Sequence, residues 1–141
     1  MKNFLLILLA AFLSVPSCKK NDAVTNTPKD EIQLKDALMI TQGKLVFNSE
    51  KGGAGIVKIF KQTNGRQVLS FEQMTLNGHT DFEIYFSKSA DGSGAGIKLF
   101  SIKNINGNYQ YLLPASINVQ DFSFVLITND QAGTVASAFL N

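Results

Sequence analysis

Gln67-Val-Leu-Ser-Phe-Glu-Gln-Met-Thr-Leu-Asn-Gly-His-Thr-Asp-Phe-Glu-Ile-Tyr-Phe-Ser87 is the stretch whose reading decides the fold. Leu69 and Phe71 alternate with Ser70 and Glu72, and Phe82, Ile84 and Phe86 alternate with Glu83 and Ser87. A period of two is what a half-buried strand requires, because successive side chains point to opposite faces. The stretch reads as strand, polar loop, strand, with the turn supplied by Asn77-Gly78-His79-Thr80-Asp81.

The same grammar continues on both sides. Strands are expected at Lys44–Asn48, Ala54–Gln62, Arg66–Leu76, Phe82–Ser87, Gly96–Ile102, Tyr109–Leu113, Phe122–Thr128 and Thr134–Leu140. Between them lies turn chemistry: Gly52-Gly53, Asn64-Gly65, Asn77-Gly78, Asp91-Gly92-Ser93-Gly94, Asn106-Gly107-Asn108, Asn129-Asp130 and Gly133. Asn-Gly between two β-rich runs signals a hairpin, because both residues tolerate positive φ. It occurs at 64–65, 77–78 and 106–107. About eight short strands with regular turns predict an all-β domain over 38–141, an antiparallel β-sandwich or barrel. Phe122-Ser-Phe-Val-Leu-Ile-Thr128 is apolar on both faces and is the candidate central strand. Glu31 to Thr41 fits either a short helix or an entering edge strand.

The N-terminus has a different composition. Met1-Lys2-Asn3 precedes an unbroken apolar run from Phe4 to Leu13. That run is shorter than the roughly 20 apolar residues a membrane-spanning helix needs, and it fits an export signal. Val15-Pro16-Ser17-Cys18 follows, and residues 1–17 resemble a bacterial lipoprotein signal peptide. The resemblance implies that Cys18 becomes the N-terminus and carries diacylglycerol and an N-acyl chain such as palmitate. Several acyl chains hold a domain on a membrane that one chain holds only marginally. Cys18 is the only cysteine, so no intramolecular disulfide is possible. A lone thiol, or an ordinary secretory signal cut just before Cys18, are the alternatives. Residues 18–37 are polar and poor in large apolar groups, which marks a tether that cannot offset its own ordering entropy. Lys19 after the cysteine, by analogy with the sorting rule of enteric bacteria, implies the outer membrane of the cell envelope.

Charge and site chemistry exclude several classes. Lys2 is the one charge lost with residues 1–17, leaving 12 basic against 11 acidic residues. That is no footprint for nucleic acid. His79 is the only histidine, so neither a zinc nor a haem site has its ligands, and no metal or cofactor is expected. The best available acid–base pair is His79 with Asp81, and it reads as turn chemistry, so the chain is expected not to be an enzyme. Asp91-Gly92-Ser93-Gly94-Ala95-Gly96 lacks the Gly-Lys-Ser/Thr of a phosphate loop and precedes a strand, so it reads as a hairpin connection. Tyr109 and Tyr111 share one strand face, with Tyr85 a possible neighbour. They form either a patch for a glycan or protein partner or an ordinary face with hydroxyls at its rim.

Leu38 to Leu140 also resembles the extracytoplasmic DM-thirteen domain. The matching pieces are Gly43-Lys-Leu-Val-Phe47, Gly53-Ala-Gly-Ile-Val-Lys-Ile59, Val68-Leu69 with Phe71, Asn77-Gly78 with Asp81-Phe-Glu-Ile-Tyr-Phe-Ser87, Gly107-Asn-Tyr-Gln-Tyr-Leu-Leu-Pro114, and Phe122 to Ala138. The resemblance implies a redox accessory role, since that family is regarded as an electron-transfer domain. This chain departs from it where family members often carry a cysteine: the region is Val125-Leu-Ile-Thr-Asn129, without one. The reading that follows from the residues is a non-catalytic, lipid-anchored module at the cell envelope. Its binding positions would be His79, Asp81, Tyr85, Tyr109 and Tyr111.

Overall fold

The computed structural model describes residues 32–48, 52–76, 81–94, 96–103, 106–130 and 133–141. Among the described residues eight strands form: β1 (Leu38–Phe47), β2 (Gly53–Lys61), β3 (Gln67–Leu76), β4 (Asp81–Ser87), β5 (Gly96–Lys103), β6 (Gly107–Leu112), β7 (Phe124–Asn129) and β8 (Gly133–Phe139). One turn of 3-10 helix, Val119–Asp121, precedes β7. All pairings are antiparallel, and the sheet order is β5-β4-β7-β8-β1-β2-β3-β6.

β1 joins the two halves of this sheet. Its residues 38–44 pair with β2, and Leu45, Val46 and Phe47 pair with β8. The sheet therefore curls at β1 into an open half-barrel with one shared interior. Leu69 and Phe71 enter that interior from one half, and Phe82, Ile84, Phe86, Val125 and Ile127 enter it from the other. The outermost strands meet through their side chains: Phe100 of β5 stacks on Tyr111 of β6 with ring centroids 3.9 Å apart. Phe71 meets the same tyrosine edge-on at 6.1 Å. Such ring pairs add about 0.5–1.5 kcal/mol beyond the area they bury.

All eight expected strands are present, and Leu38 to Thr41 is strand, not helix; Glu31 lies outside the described residues. β7 is interior, paired with β4 and β8, as its two apolar faces predict. The hairpin reading needs correction. Asn64-Gly65 closes the β2–β3 hairpin, with Gly65 at φ +82 and its N–H donated to Gln62. Asn77-Gly78 lies outside the described residues, but the strands on either side of it, β3 and β4, lie in opposite halves; β5 and β6, on either side of Asn106-Gly107, lie at opposite edges and form no hairpin. The cause is burial. Side by side in a flat hairpin, the apolar faces of β3 and β4 would both stay wet, whereas facing halves cover each other. Asn106 and Asn108 act on the neighbouring strand instead. The Asn108 Oδ1 accepts from the Gln73 N–H at 2.7 Å, and the Asn106 Oδ1 accepts from the Leu76 N–H at 3.1 Å. These side chains satisfy donors where the β3–β6 ladder breaks and Gln73 takes a positive φ of 51°.

Candidate functional site

The outer face of β4, β7 and β8 carries phenol, hydroxyl and carboxylate groups together. Register places Tyr85 beside Leu126, Glu83 beside Thr128, and Thr128 beside Thr134. The β4–β5 connection folds back across this face. Gly92, at φ +78, sits so close that an added Cβ would lie 3.4 Å from Leu126 and 3.6 Å from Thr134. That roof explains why Leu126, on the outside of the sheet, is only 2% exposed. Between roof and sheet runs a cleft of about 410 Å³, lined by Tyr85, Ser87, Asp91, Leu126, Thr128, Asp130 and Thr134 among others. Its size falls in the range of small-ligand sites.

The roof is held by its own side chains. The Asp91 Oδ1 accepts from the Ser93 N–H at 3.0 Å and from the Ser93 hydroxyl at 2.7 Å. The Ser89 Oγ accepts from the Gly94 N–H at 2.7 Å, and the Ser87 Oγ accepts from the Ser89 N–H at 3.2 Å. The Ser93 donors hold the Asp91 carboxyl down at about 2, so it is ionised under ordinary conditions. The Thr134 hydroxyl reaches the Asp91 carbonyl at 3.4 Å and ties roof to sheet.

Tyr85, which lines the cleft, belongs to a charged triad with Glu83 and Lys98 on β4 and β5. Lys98 pairs with Glu83, whose other oxygen accepts from the Tyr85 hydroxyl at 2.8 Å. The Lys98 bond, then the Tyr85 bond, holds the Glu83 carboxyl below its usual range. That same carboxylate raises the Tyr85 phenol and the Lys98 ammonium. Tyr85 therefore stays a neutral donor to Glu83, and its oxygen remains able to accept. The cleft thus offers a phenol ring, hydroxyls and carboxylates, a donor–acceptor set suited to hydroxyl-rich ligands.

Among the described residues, Asp81, Tyr85, Tyr109 and Tyr111 do not gather into one patch. Tyr109 and Tyr111 share a face, but it is the inner one. Tyr111 is 3% exposed, and its burial among the core rings pushes its phenol well above the usual tyrosine value. Tyr109 packs partly against the core and donates its hydroxyl to the Asn106 carbonyl at 2.6 Å. Tyr85 points out of the opposite half, into the cleft. Asp81 is exposed at the start of β4, opposite Lys103 in register. His79 and Cys18 lie outside the described residues. Among the described residues, no group of three or more His, Cys, Asp or Glu side chains gathers that could hold a metal. Leu126, Thr128, Asp130 and Thr134 were not legible as site residues, because only the pairing of β4, β7 and β8 assembles them. The one available signal was the glycine-rich connection between β4 and its partner β5, whose Gly92 also lies over the sheet.

No family model, no curated protein and no solved structure matches this chain.

Proposed function

We propose that the chain is a lipid-anchored, non-catalytic binding module of the bacterial cell envelope, and that its ligand is a glycan, free or on a protein partner. The observation that carries the reading is the cleft beneath the β4–β5 roof, where the Tyr85 ring stands beside the Thr128 and Thr134 hydroxyls and the Asp130 carboxylate. Hydroxyls and carboxylates exchange hydrogen bonds with sugar hydroxyls, and an aromatic ring covers the apolar face of a pyranose. The apolar run Phe4–Leu13 followed by Cys18 supports the anchor. The two halves, β5-β4-β7-β8 and β1-β2-β3-β6, are read as the layers of a sandwich joined at β1.

Two experiments test this. Cys18→Ser should move the protein from the membrane to the soluble fraction, and intact mass should find acyl chains on Cys18 in the parent. A glycan array probed with the purified protein should give signals that Tyr85→Ala and Thr128→Val each lose, without loss of folding. Binding that survives both changes would remove the cleft from the reading. A stoichiometric chromophore or metal in the purified protein would instead favour the redox role that the DM-thirteen resemblance implies.

A further inference from the structure

The end of the described residues that receives the tether presents a run of exposed apolar side chains. β1 opens with three consecutive exposed apolar residues, Leu38 at 71%, Met39 at 44% and Ile40 at 38%. Strand alternation would normally turn one of them inward. A bulge and the strand's end account for the exception: Met39 pairs with Phe60 and Thr41 with Ile59, so Ile40 has no partner in the ladder, and Leu38 is the first residue of β1. Cations flank the triplet. Lys61 stands opposite Leu38 in register, Arg66 closes the adjoining β2–β3 turn, and Lys35 lies three residues upstream of Leu38, with the exposed Asp36 next to it, so that cations outnumber this acid. Neither ion pair among the described residues involves any of these three cations. The incoming chain is fixed to the same end, because the Gln62 side chain donates to the Gln33 carbonyl at 3.2 Å.

We propose that this end, Leu38-Met39-Ile40 ringed by Lys35, Lys61 and Arg66, docks on the anionic headgroups of the bilayer that holds the chain. The occupant follows from where the undescribed chain leads. Only the segment 19–31 separates Cys18 from Ile32, and an extended chain spans at most about 3.6 Å per residue. The inference rests on the lipid-anchor reading. An anchored domain so tethered keeps this end nearest the membrane, where apolar side chains enter the headgroup boundary and cations meet lipid phosphates. Docking also orients the molecule, holding the tether end at the bilayer.

The test uses the processed full chain, purified from membranes and reconstituted in phosphatidylcholine vesicles with or without phosphatidylglycerol. A fluorophore is placed by Leu38→Cys, and in a control by Val46→Cys, which is 67% exposed. Nitroxide-bearing lipid should quench the label at 38 and spare that at 46, and only where phosphatidylglycerol is present. Lys61→Gln and Arg66→Gln should each lower the ratio of docked to free domain about fivefold. Equal quenching at both positions, with acyl chains on Cys18 by mass, would overturn docking and leave the anchor standing. Shielding of position 38 in detergent, together with a dimer by sedimentation, would assign the patch to a second copy and overturn the proposal. If mass finds Cys18 unmodified, the anchor reading fails, and co-sedimentation of the same protein with the anionic vesicles decides docking: pelleting abolished by Leu38→Glu supports it, and no pelleting overturns it.

Discussion

Gly43→Ala tests the junction on which the fold turns. Gly43 lies in β1 opposite Val57, just before β1 passes from β2 to β8. An added Cβ would lie 2.9 Å from the Phe139 carbonyl carbon and 3.3 Å from the Ala138 side chain, and closer still to the Phe139 carbonyl oxygen. These neighbours are mostly backbone, so no side chain can swing away, and β8 must shift relative to β1. Overpacking of this kind costs about 1–3 kcal/mol. The shift also strains the reciprocal bonds between Gln42 and Asn141, at 3.2 and 3.0 Å, each worth about 1 kcal/mol. Reduced freedom of the unfolded chain returns about 0.4–1 kcal/mol. The net expectation is a loss of about 3 kcal/mol, a large fraction of an ordinary domain's stability. Urea unfolding should show the midpoint falling by about 1–3 M, and the Gln42 and Asn141 amides should exchange faster. Gly65→Ala is the control, because its φ is +82 but nothing lies within 4 Å of the added Cβ. It should cost only the left-handed backbone penalty, about 1–2 kcal/mol. If Gly43→Ala proves no worse than Gly65→Ala, the close β1–β8 approach is not what holds the two halves together.

Phe100→Ala should cost about 3–5 kcal/mol by calorimetry, because the ring is buried and removing it leaves Tyr111 facing a void across the seam between the halves. Tyr111 binds its proton more tightly folded than unfolded, since burial raises its phenol above the ordinary value near 10. Its contribution is therefore complete below about pH 10 and declines as pH rises, so Tyr111→Phe should flatten the alkaline fall in urea stability. Asp91 has the opposite sign: its carboxyl is lowered from 3.8 to about 2 by the Ser93 donors, so its support of the roof is present above about pH 4 and is lost as pH falls through about 2. The amide resonances of Ser93 and Gly94 should titrate with that low midpoint, and Asp91→Asn should abolish the titration.

The candidate site shows how far side-chain pattern reaches. The alternation that marks Tyr85 as facing away from Phe82, Ile84 and Phe86 is visible in the chain, and so is the shared face of Tyr109 and Tyr111. Which face is wet is not visible. A tyrosine serves equally well as a core ring with its hydroxyl at the rim or as a surface ring, and Phe100 decides between them by stacking on Tyr111. The cleft was hidden for a related reason. A glycine-rich connection states that it turns, not where it then lies, and Gly92 reaches Leu126 only because β7 pairs with β4.

The sequence by itself determined the local grammar: eight strands, their inward residues, the central character of β7, and the cysteine that follows an apolar run. These are properties of near neighbours, set by alternation, turn stereochemistry and composition. The tertiary structure alone decided that Asn77-Gly78 and Asn106-Gly107 connect strands that never pair, that β1 serves both halves, and that a roof covers the outer face of β7. Strand partnership is chosen by which arrangement buries two apolar faces at once, and that depends on every strand together, not on the turn between any two.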